Sequence, residues 1–306
     1  MTKIKNALFI VNKFSGGGYR PDVEGRIIEE CKKLNIECTI EFTQSRGHAT
    51  ELASDAVGQH VDYVFAVGGD GTVNEVAQGL LGSKVAMGIL PKGSGNGLAR
   101  HLGMPMSFKK SLEIISTHRE QMIDTMSVNG KLSVNVSGIG FDGHIAGLFA
   151  NSSKRGLIGY TKLVLKEFIN FKSFEANVEV NGKLYQSKPF IIALANSSQF
   201  GNNARVAPQA SVCDQLIDVC FIQKVPVSQA IGFAGKMFRG KLDQSRFVDI
   251  VKTNQLTINL NQSVAYHIDG EAMKASDKFN VKIMPVSLKV LIPVRPDQGR
   301  SEKYPI

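Results

Sequence analysis

The strongest constraint on this chain lies in residues 64–97, VFAVGGDGTVNEVAQGLLGSKVAMGILPKGSGNG, where two glycine turns each follow an apolar run. The first turn, Gly68-Gly69-Asp70-Gly71-Thr72, follows Tyr63-Val64-Phe65-Ala66-Val67. The second, Gly93-Ser94-Gly95-Asn96-Gly97, follows Val85 to Leu90 and then Pro91-Lys92. Between them, Val73 to Leu81 has helical spacing. A strand, a glycine turn and a helix, twice over, present backbone N–H groups and helix N-termini to an anion, most naturally a phosphate. Asp70 adds a carboxylate beside that phosphate. Such a charge is unfavourable there unless it binds Mg²⁺ or takes a proton from an acceptor hydroxyl. Thr72 is placed to cap the helix, with Asn74 and Glu75 in its first turn. In the second turn, Ser94 and Asn96 can donate to phosphate or cap the next helix, and Lys92 can neutralise charge. The bland alternative for both is a tight turn and nothing more. No GxxxxGK[ST] loop occurs, which excludes the P-loop enzymes.

The surrounding chain alternates strand and helix. Residues 7–12 read as a buried strand, followed by the glycine-rich turn 12–18. Val23 to Leu34 reads as a helix and Ile36 to Phe42 as a strand. The polar turn 43–49 follows, then a helix over Thr50 to Gln59 and a strand over Val61 to Val67. Residues 1–122 are therefore expected to form an α/β domain with a parallel sheet. In such sheets ligands bind at the carboxyl ends of the strands, where the turns 12–18, 43–49, 68–74 and 92–97 all fall. Met106 to His118 reads as one more helix. From about residue 123 short β-rich runs take over, including Phe279 to Pro285 and Leu288 to Pro293, with Asn-Gly hairpin signals at Asn129-Gly130 and Asn181-Gly182. Residues 123–295 are expected to form an antiparallel β-sandwich with helical inserts at Leu157 to Phe171 and Ser228 to Gly240. A polar tail covers 296–306.

Composition narrows the partners. The formal net charge of +9 suits nucleic acid, an anionic membrane surface or a polyphosphate substrate, as well as a plain solvated surface. Arg20, Lys109, Lys110, Lys154 and Arg155 suit an anionic membrane or a solvated face equally well. Cys31, Cys38, Cys213 and Cys220 form no CxxC pair or zinc spacing, as expected of reduced thiols in a cytoplasmic protein. The apolar run Ala7 to Val11 is too short for a signal-peptide core, and no run approaches the roughly 20 residues of a membrane span. If a lipid is involved, the protein is expected to visit the membrane from outside. The histidines His48, His60, His101, His118, His144 and His267 are scattered, and none pairs with a serine or cysteine nucleophile.

Three further motifs lie in the β-rich half. Gly138-Ile139-Gly140-Phe141-Asp142-Gly143 matches GxGxxG. It lacks the βαβ unit and the ribose-binding acid about 20 residues on that a dinucleotide site requires. It reads instead as a bend lining an inter-domain cleft, with Asp142 a candidate to bind the substrate hydroxyl. His267-Ile268-Asp269-Gly270-Glu271 is a turn in which Asp269 can hold the chain while Glu271 projects. Ser211 to Asp218 (SVCDQLID) is an acidic turn in which Asp214 can bind a divalent cation with nearby carbonyls.

At these residues the sequence resembles the diacylglycerol-kinase catalytic family, which includes lipid kinases and the sphingosine and ceramide kinases. The resemblance runs through Asn12 to Gly16, Thr43 with Gly47-His48-Ala49, GGDGTVNEV at 68–76, LPKGSGNGLA at 90–99, NVSGIGFDG at 135–143, Asp214 to Asp218 and DGE at 269–271. It implies a nucleotide domain, a β-sandwich and an active site between them, using ATP and Mg²⁺. Carried over, Asn12, Thr43, Gly68, Gly69, Asp70, Gly71, Thr72, Val73, Asn74, Gly93, Ser94 and Asn96 would bind ATP. Glu271 would accept the proton, with Asp70 in the Mg²⁺/phosphate network or itself the base. Asp214, with the carbonyls of Ser211 and Leu216, would form a structural metal site. Lys13 and Phe14 depart from the family pattern. Gly97 stands where many bacterial members have an Asp that the sphingosine and ceramide branch also lacks, and Gln215 replaces a glycine. The expectation is an ATP-dependent kinase of a diacylglycerol-like or sphingoid lipid, cytoplasmic and peripheral at an anionic membrane, without nucleic acid. A homodimer is left open. A soluble kinase of NAD-kinase type and a catalytically silent basic membrane- or nucleic-acid-binding protein are the rival readings.

Overall fold

The computed structural model describes residues 5–16, 22–59, 61–150 and 157–294. Gly17, Gly18, Arg20, His60, Lys154, Arg155 and the tail 296–306 lie outside the described residues. The chain divides into two compact units. One runs to Asp124 and takes up the chain again from Pro285, and the other is Thr125–Met284.

In the first unit the elements alternate: β1 (Asn6–Val11), α1 (Asp22–Leu34), β2 (Glu37–Phe42), α2 (His48–Gly58), β3 (Tyr63–Gly68), α3 (Asp70–Leu80) and β4 (Ala86–Pro91). The strands lie in the order β2-β1-β3-β4, all parallel. β3 and β4 are buried at every residue, which is why they read as unbroken apolar runs, whereas β2 at the edge is exposed at alternate positions. Phe9 and Phe65 stack across β1 and β3 at 4.6 Å. On α1 the residues Val23, Ile27 and Cys31, four apart, face the core. Burial pushes the Cys31 thiol up to about 12, in keeping with an unreactive packing residue. All four cysteines are free thiols.

Beyond β4 come two short helices, α4 (Gly97–His101) and α5 (Phe108–Ser111), and a 3₁₀ turn over Leu112–Ile115. The single helix expected over 106–118 is thus replaced by two tight turns. His118 already belongs to strand β5 (His118–Val128), where its Nδ1 donates to the Ile114 carbonyl at 2.9 Å and closes the turn.

The second unit contains β6 (Lys131–Ser133), β7 (Val136–Gly140), α6 (Phe141–Ala150), α7 (Leu157–Asn170), β8 (Ala176–Val180), β9 (Lys183–Ser187) and β10 (Ile191–Ala195). It continues through β11 (Ile217–Ile222), α8 (Val227–Phe238), β12 (Val248–Thr253), β13 (Gln255–Val264), β14 (Tyr266–Ile268) and β15 (Glu271–Ala272). One antiparallel sheet has the order β12-β11-β10-β7-β14-β15. In the other, β9, β8 and β13 lead to the start of β16 (Ser276–Pro293). Ile139, Leu194 and Val219 of the first sheet and Val178, Ile258 and Phe279 of the second share one core, which makes the unit a sandwich. Asn129-Gly130 and Asn181-Gly182 carry positive φ at both residues, the backbone of two-residue hairpins. The two strands expected at 279–285 and 288–293 are a single element. Val286, at φ 51, kinks it and donates its N–H to Asp124 Oδ1 at 2.8 Å. From Pro285 the strand belongs to the first unit, where Val290 pairs with Met87 of β4. No helix among the described residues is long and apolar enough to cross a membrane.

Candidate active site

In the first unit the two glycine turns lie against each other. A Cβ added to Gly93 would stand 2.5 Å from the Gly69 Cα, so only glycine permits this approach. Lys92 and Gly93 donate their N–H groups to the Gly68 carbonyl at 2.8 and 3.2 Å. Asp70 fastens the pair from the other side. Its Oδ1 accepts the Gly97 N–H at 2.7 Å and its Oδ2 the Asn96 N–H at 2.8 Å. Asn96, buried and left-handed at φ 53, closes its own loop: Oδ1 accepts the Gly93 N–H and Nδ2 donates to the Gly93 carbonyl.

The helix opens earlier than its apolar spacing indicated. α3 starts at Asp70, with Gly69 as its N-cap and no side-chain cap, so Gly71, Thr72, Val73 and Asn74 lie within the helix. Thr72 is therefore not the cap. Its Oγ1 instead accepts from Asn12 Nδ2 at 3.1 Å, which ties the end of β1 to the start of α3. Asn12 Oδ1 accepts the Phe14 N–H, and Thr43 donates its N–H to the Val11 carbonyl. Glu75 has a role its position did not disclose: its carboxylate accepts the N–H groups of Gly47 and Ala49 at 2.9 and 3.2 Å and holds the 43–49 turn. Gly69, Asp70 and Gly71 remain half-buried. The arrangement brings Asn12, Thr43, residues 68–74 and 93–97 to the carboxyl ends of β1, β2, β3 and β4, at the N-terminus of an 11-residue helix, whose dipole favours an anion. Asp70 is half-buried at this helix start, and its carboxylate is the oxygen donor type that a Mg²⁺ bound with a nucleotide would take.

In the second unit Glu271 opens β15 after the two-residue turn Asp269-Gly270, both residues at positive φ. Asp269 is buried. Its Oδ1 accepts from Ser133 Oγ at 2.6 Å and the Asn135 N–H at 3.1 Å, and its Oδ2 accepts the Val134 N–H at 2.8 Å. The Ile268–Glu271 pair across this hairpin sets the base of the Glu271 side chain. His267, on the same strand, accepts the Gly270 N–H at Nδ1, which leaves its proton on Nε2, 3.3 Å from Asp142 Oδ2. Asp142 Oδ1 accepts the Gly143 N–H at 2.8 Å. The candidate hydroxyl ligand thus lies beside a histidine that its sequence position left unassigned.

The acidic turn does not fit a metal. Asp214 Oδ2 binds Lys252 Nζ at 2.8 Å, and Asp218 Oδ2 lies 3.1 Å from the same ammonium. Lys252 also donates to the Gln209 carbonyl, while Asp214 Oδ1 accepts the Leu216 N–H and Ser211 Oγ the Cys213 N–H. Lys252 stands directly opposite Asp218 in the β11–β12 register. Its ammonium supplies the positive charge that the Ser211/Asp214/Leu216 reading assigned to a cation. Gln215 sits at φ 61, the left-handed conformation that glycine adopts freely. Burial pushes the Asp218 carboxyl up, opposed by Lys252. No group of three or more His, Cys, Asp or Glu among the described residues could hold a metal ion.

The fold is that of solved proteins from Bacillus anthracis strain Sterne. A crystal structure described as a diacylglycerol kinase superposes with a TM-score of 0.76 at 19% identity, covering 97% of this chain and 99% of that one. Another from that strain has a TM-score of 0.80 at 23% identity, with the same coverage. The sequence is 26% identical over 276 residues to "Diacylglycerol kinase" of Bacillus subtilis strain 168, covering 88% of this chain and 90% of that protein. It is also 26% identical over 263 residues to "Probable lipid kinase YegS-like" of Klebsiella pneumoniae strain 342, covering 84% and 87%. Residues 6–128 match the diacylglycerol kinase catalytic domain, and residues 135–292 match the YegS C-terminal NAD kinase beta sandwich-like domain. With both domains present in that order, the chain belongs to the diacylglycerol kinase/YegS family of lipid kinases.

Proposed function

We propose that this protein transfers the γ-phosphate of ATP to the hydroxyl of a diacylglycerol-like or sphingoid lipid, acting as a peripheral enzyme at the cytoplasmic face of an anionic membrane. The observation that carries the reading is the Asp70 carboxylate clamped by the N–H groups of Asn96 and Gly97. This clamp joins two glycine turns at one helix N-terminus, a frame suited to a triphosphate. Gly68 to Asn74, Gly93, Ser94 and Asn96 hold the phosphates, with Asn12 and Thr43 beside them. Mg²⁺ bound with the nucleotide, next to Asp70, would neutralise charge on the phosphates. Glu271, set by the Asp269 hairpin, takes the proton of the lipid hydroxyl. The oxygen attacks the γ-phosphorus, the bond to the β-phosphate bridging oxygen breaks, and ADP leaves. Asp70 is fixed by two donors and positions rather than accepts. Positioning and charge stabilisation supply most of the rate.

The test is turnover of γ-labelled ATP with Mg²⁺ on mixed micelles of monoacylglycerol, diacylglycerol, sphingoid base, ceramide and undecaprenol. One of these should be phosphorylated, and Asp70→Asn and Glu271→Gln should each abolish most of that turnover. Full activity in both variants would falsify the mechanism. The GGDGT turn also favours a second reading, phosphorylation of NAD; turnover of NAD in lipid-free buffer with none on micelles selects it.

A further inference from the structure

Helix α8 connects β11 to β12, and none of its residues is fully buried. Phe233 and Met237, four apart, rest on a core that includes Val206, Cys220 and Leu242. Val227, Ile231 and Phe238 point elsewhere. At about 100° per residue they fall within about 40° of one another, well away from Phe233 and Met237. All three are more than half exposed, Ile231 at 88%. Leu165 and Ile169 of α7, also four apart, are exposed to a similar degree. Lys224, just before α8, donates from Nζ to the carbonyls of Ile169 and Phe171 at 3.0 and 2.6 Å. The end of α7 is thereby fastened to the segment that opens α8. The segment is also basic at both ends of the helix: Lys224 precedes it, Arg239, Lys241 and Arg246 follow it, and Asp243 is the one acid in 223–247.

We propose that α8, with the end of α7, is the face by which this protein docks on an anionic membrane. Val227, Ile231 and Phe238 enter the boundary between headgroups and acyl chains, and the basic side chains at the two ends of the helix meet lipid phosphates. The inference rests on the lipid-kinase reading and deepens it by naming the surface that meets the substrate's membrane. A second copy of the chain is a poorer occupant. A two-fold interface would set the basic ends of this helix against the same set. Five apolar side chains also fall short of the roughly 800 Å² per partner that a stable interface needs.

The chain has no tryptophan, so Phe238→Trp in the full-length protein makes a single reporter. Its emission should shift to the blue with vesicles of phosphatidylglycerol and phosphatidylcholine, and hardly at all with phosphatidylcholine alone. Leu184→Trp, at an exposed position on β9, should not shift. Ile231→Asp should lower co-sedimentation with the anionic vesicles by about ten- to a hundredfold, the worth of one buried isoleucine, with its melting temperature unchanged. An unshifted Phe238→Trp, or Ile231→Asp that sediments like the parent, overturns the proposal. A parent dimer that Ile231→Asp converts to a monomer overturns it too, in favour of self-association. Vesicle binding needs no ATP. Turnover of a micellar lipid without vesicle binding therefore sinks the docking face alone, and vesicle binding by a chain without kinase activity sinks the kinase reading alone.

Discussion

The stretches 68–72 and 138–143 are written in similar letters, with glycines in and after the end of a buried strand and an aspartate in the first turn of the helix that follows. In the first, Gly69 to Gly71 stay half-buried, and Asp70 reaches across to backbone N–H groups of another loop. In the second the space is filled. Phe141 stacks on Phe190 at 4.6 Å, and Asp142 turns onto its own helix and His267. A Cβ on Gly138 would stand 1.7 Å from Asp142 Oδ2. Glycine thus serves two needs, open backbone in one turn and close side-chain packing in the other. What separates them is what the rest of the fold brings against the turn.

The comparison can be broken most directly at the aspartates. Asp70→Asn should lower lipid phosphorylation by about a hundredfold or more, while its melting temperature falls only a few degrees for one lost hydrogen bond of about 1–3 kcal/mol. Asp142→Asn, measured in the same turnover assay, should lose less than about tenfold, since its partner is a structural histidine. Equal losses in the two variants would erase the distinction. The glycines should divide the other way. Gly138→Ala crowds the Asp142 carboxylate and the His267 ring and should lower the melting temperature by about 5–10 °C. Gly69→Ala, whose Cβ would lie 3.3 Å from the Gly93 Cα, should keep most of its stability and raise the KM for ATP by about tenfold.

The acidic turn at 211–218 sharpens the same lesson, because its carboxylates are already served. Lys252→Met should cost about 1–3 kcal/mol, discounted for its partly exposed ammonium, read as a lower denaturation midpoint. EDTA should leave the melting temperature of the parent chain unchanged, and a clear drop would show that a cation is bound after all. The smallest effect concerns the first unit. Burial lowers the His118 pKa despite its bond to Ile114. A histidine whose folded pKa lies below its unfolded value contributes fully above about pH 6.5, and that contribution is lost as pH falls below it. Melting temperatures taken between pH 7 and pH 5 should therefore decline less steeply for His118→Gln than for the parent.

Much of the fold was legible because its signals are local. Strands buried on both faces leave unbroken apolar runs, as in β3 and β4, and left-handed hairpin turns demand Asn-Gly, as at 129–130 and 181–182. The helix expected over 106–118 failed for a local reason too. Its apolar spacing is met by tight turns as well as by a helix, and His118 is drawn into a strand.

By itself the sequence determined the alternation of β and α, the two glycine turns at strand ends, the hairpins and the candidate carboxylates Asp70 and Glu271, all set by the conformational needs of neighbouring residues. Only the tertiary structure decided which partners these and the other carboxylates meet. Asp70 meets Asn96 and Gly97 across 26 and 27 residues, Asp214 meets Lys252 across 38, and Asp269 is held by Ser133 across 136. No local pattern encodes such partners, because a charge finds its counterpart through strand register and loop packing, not through spacing along the chain.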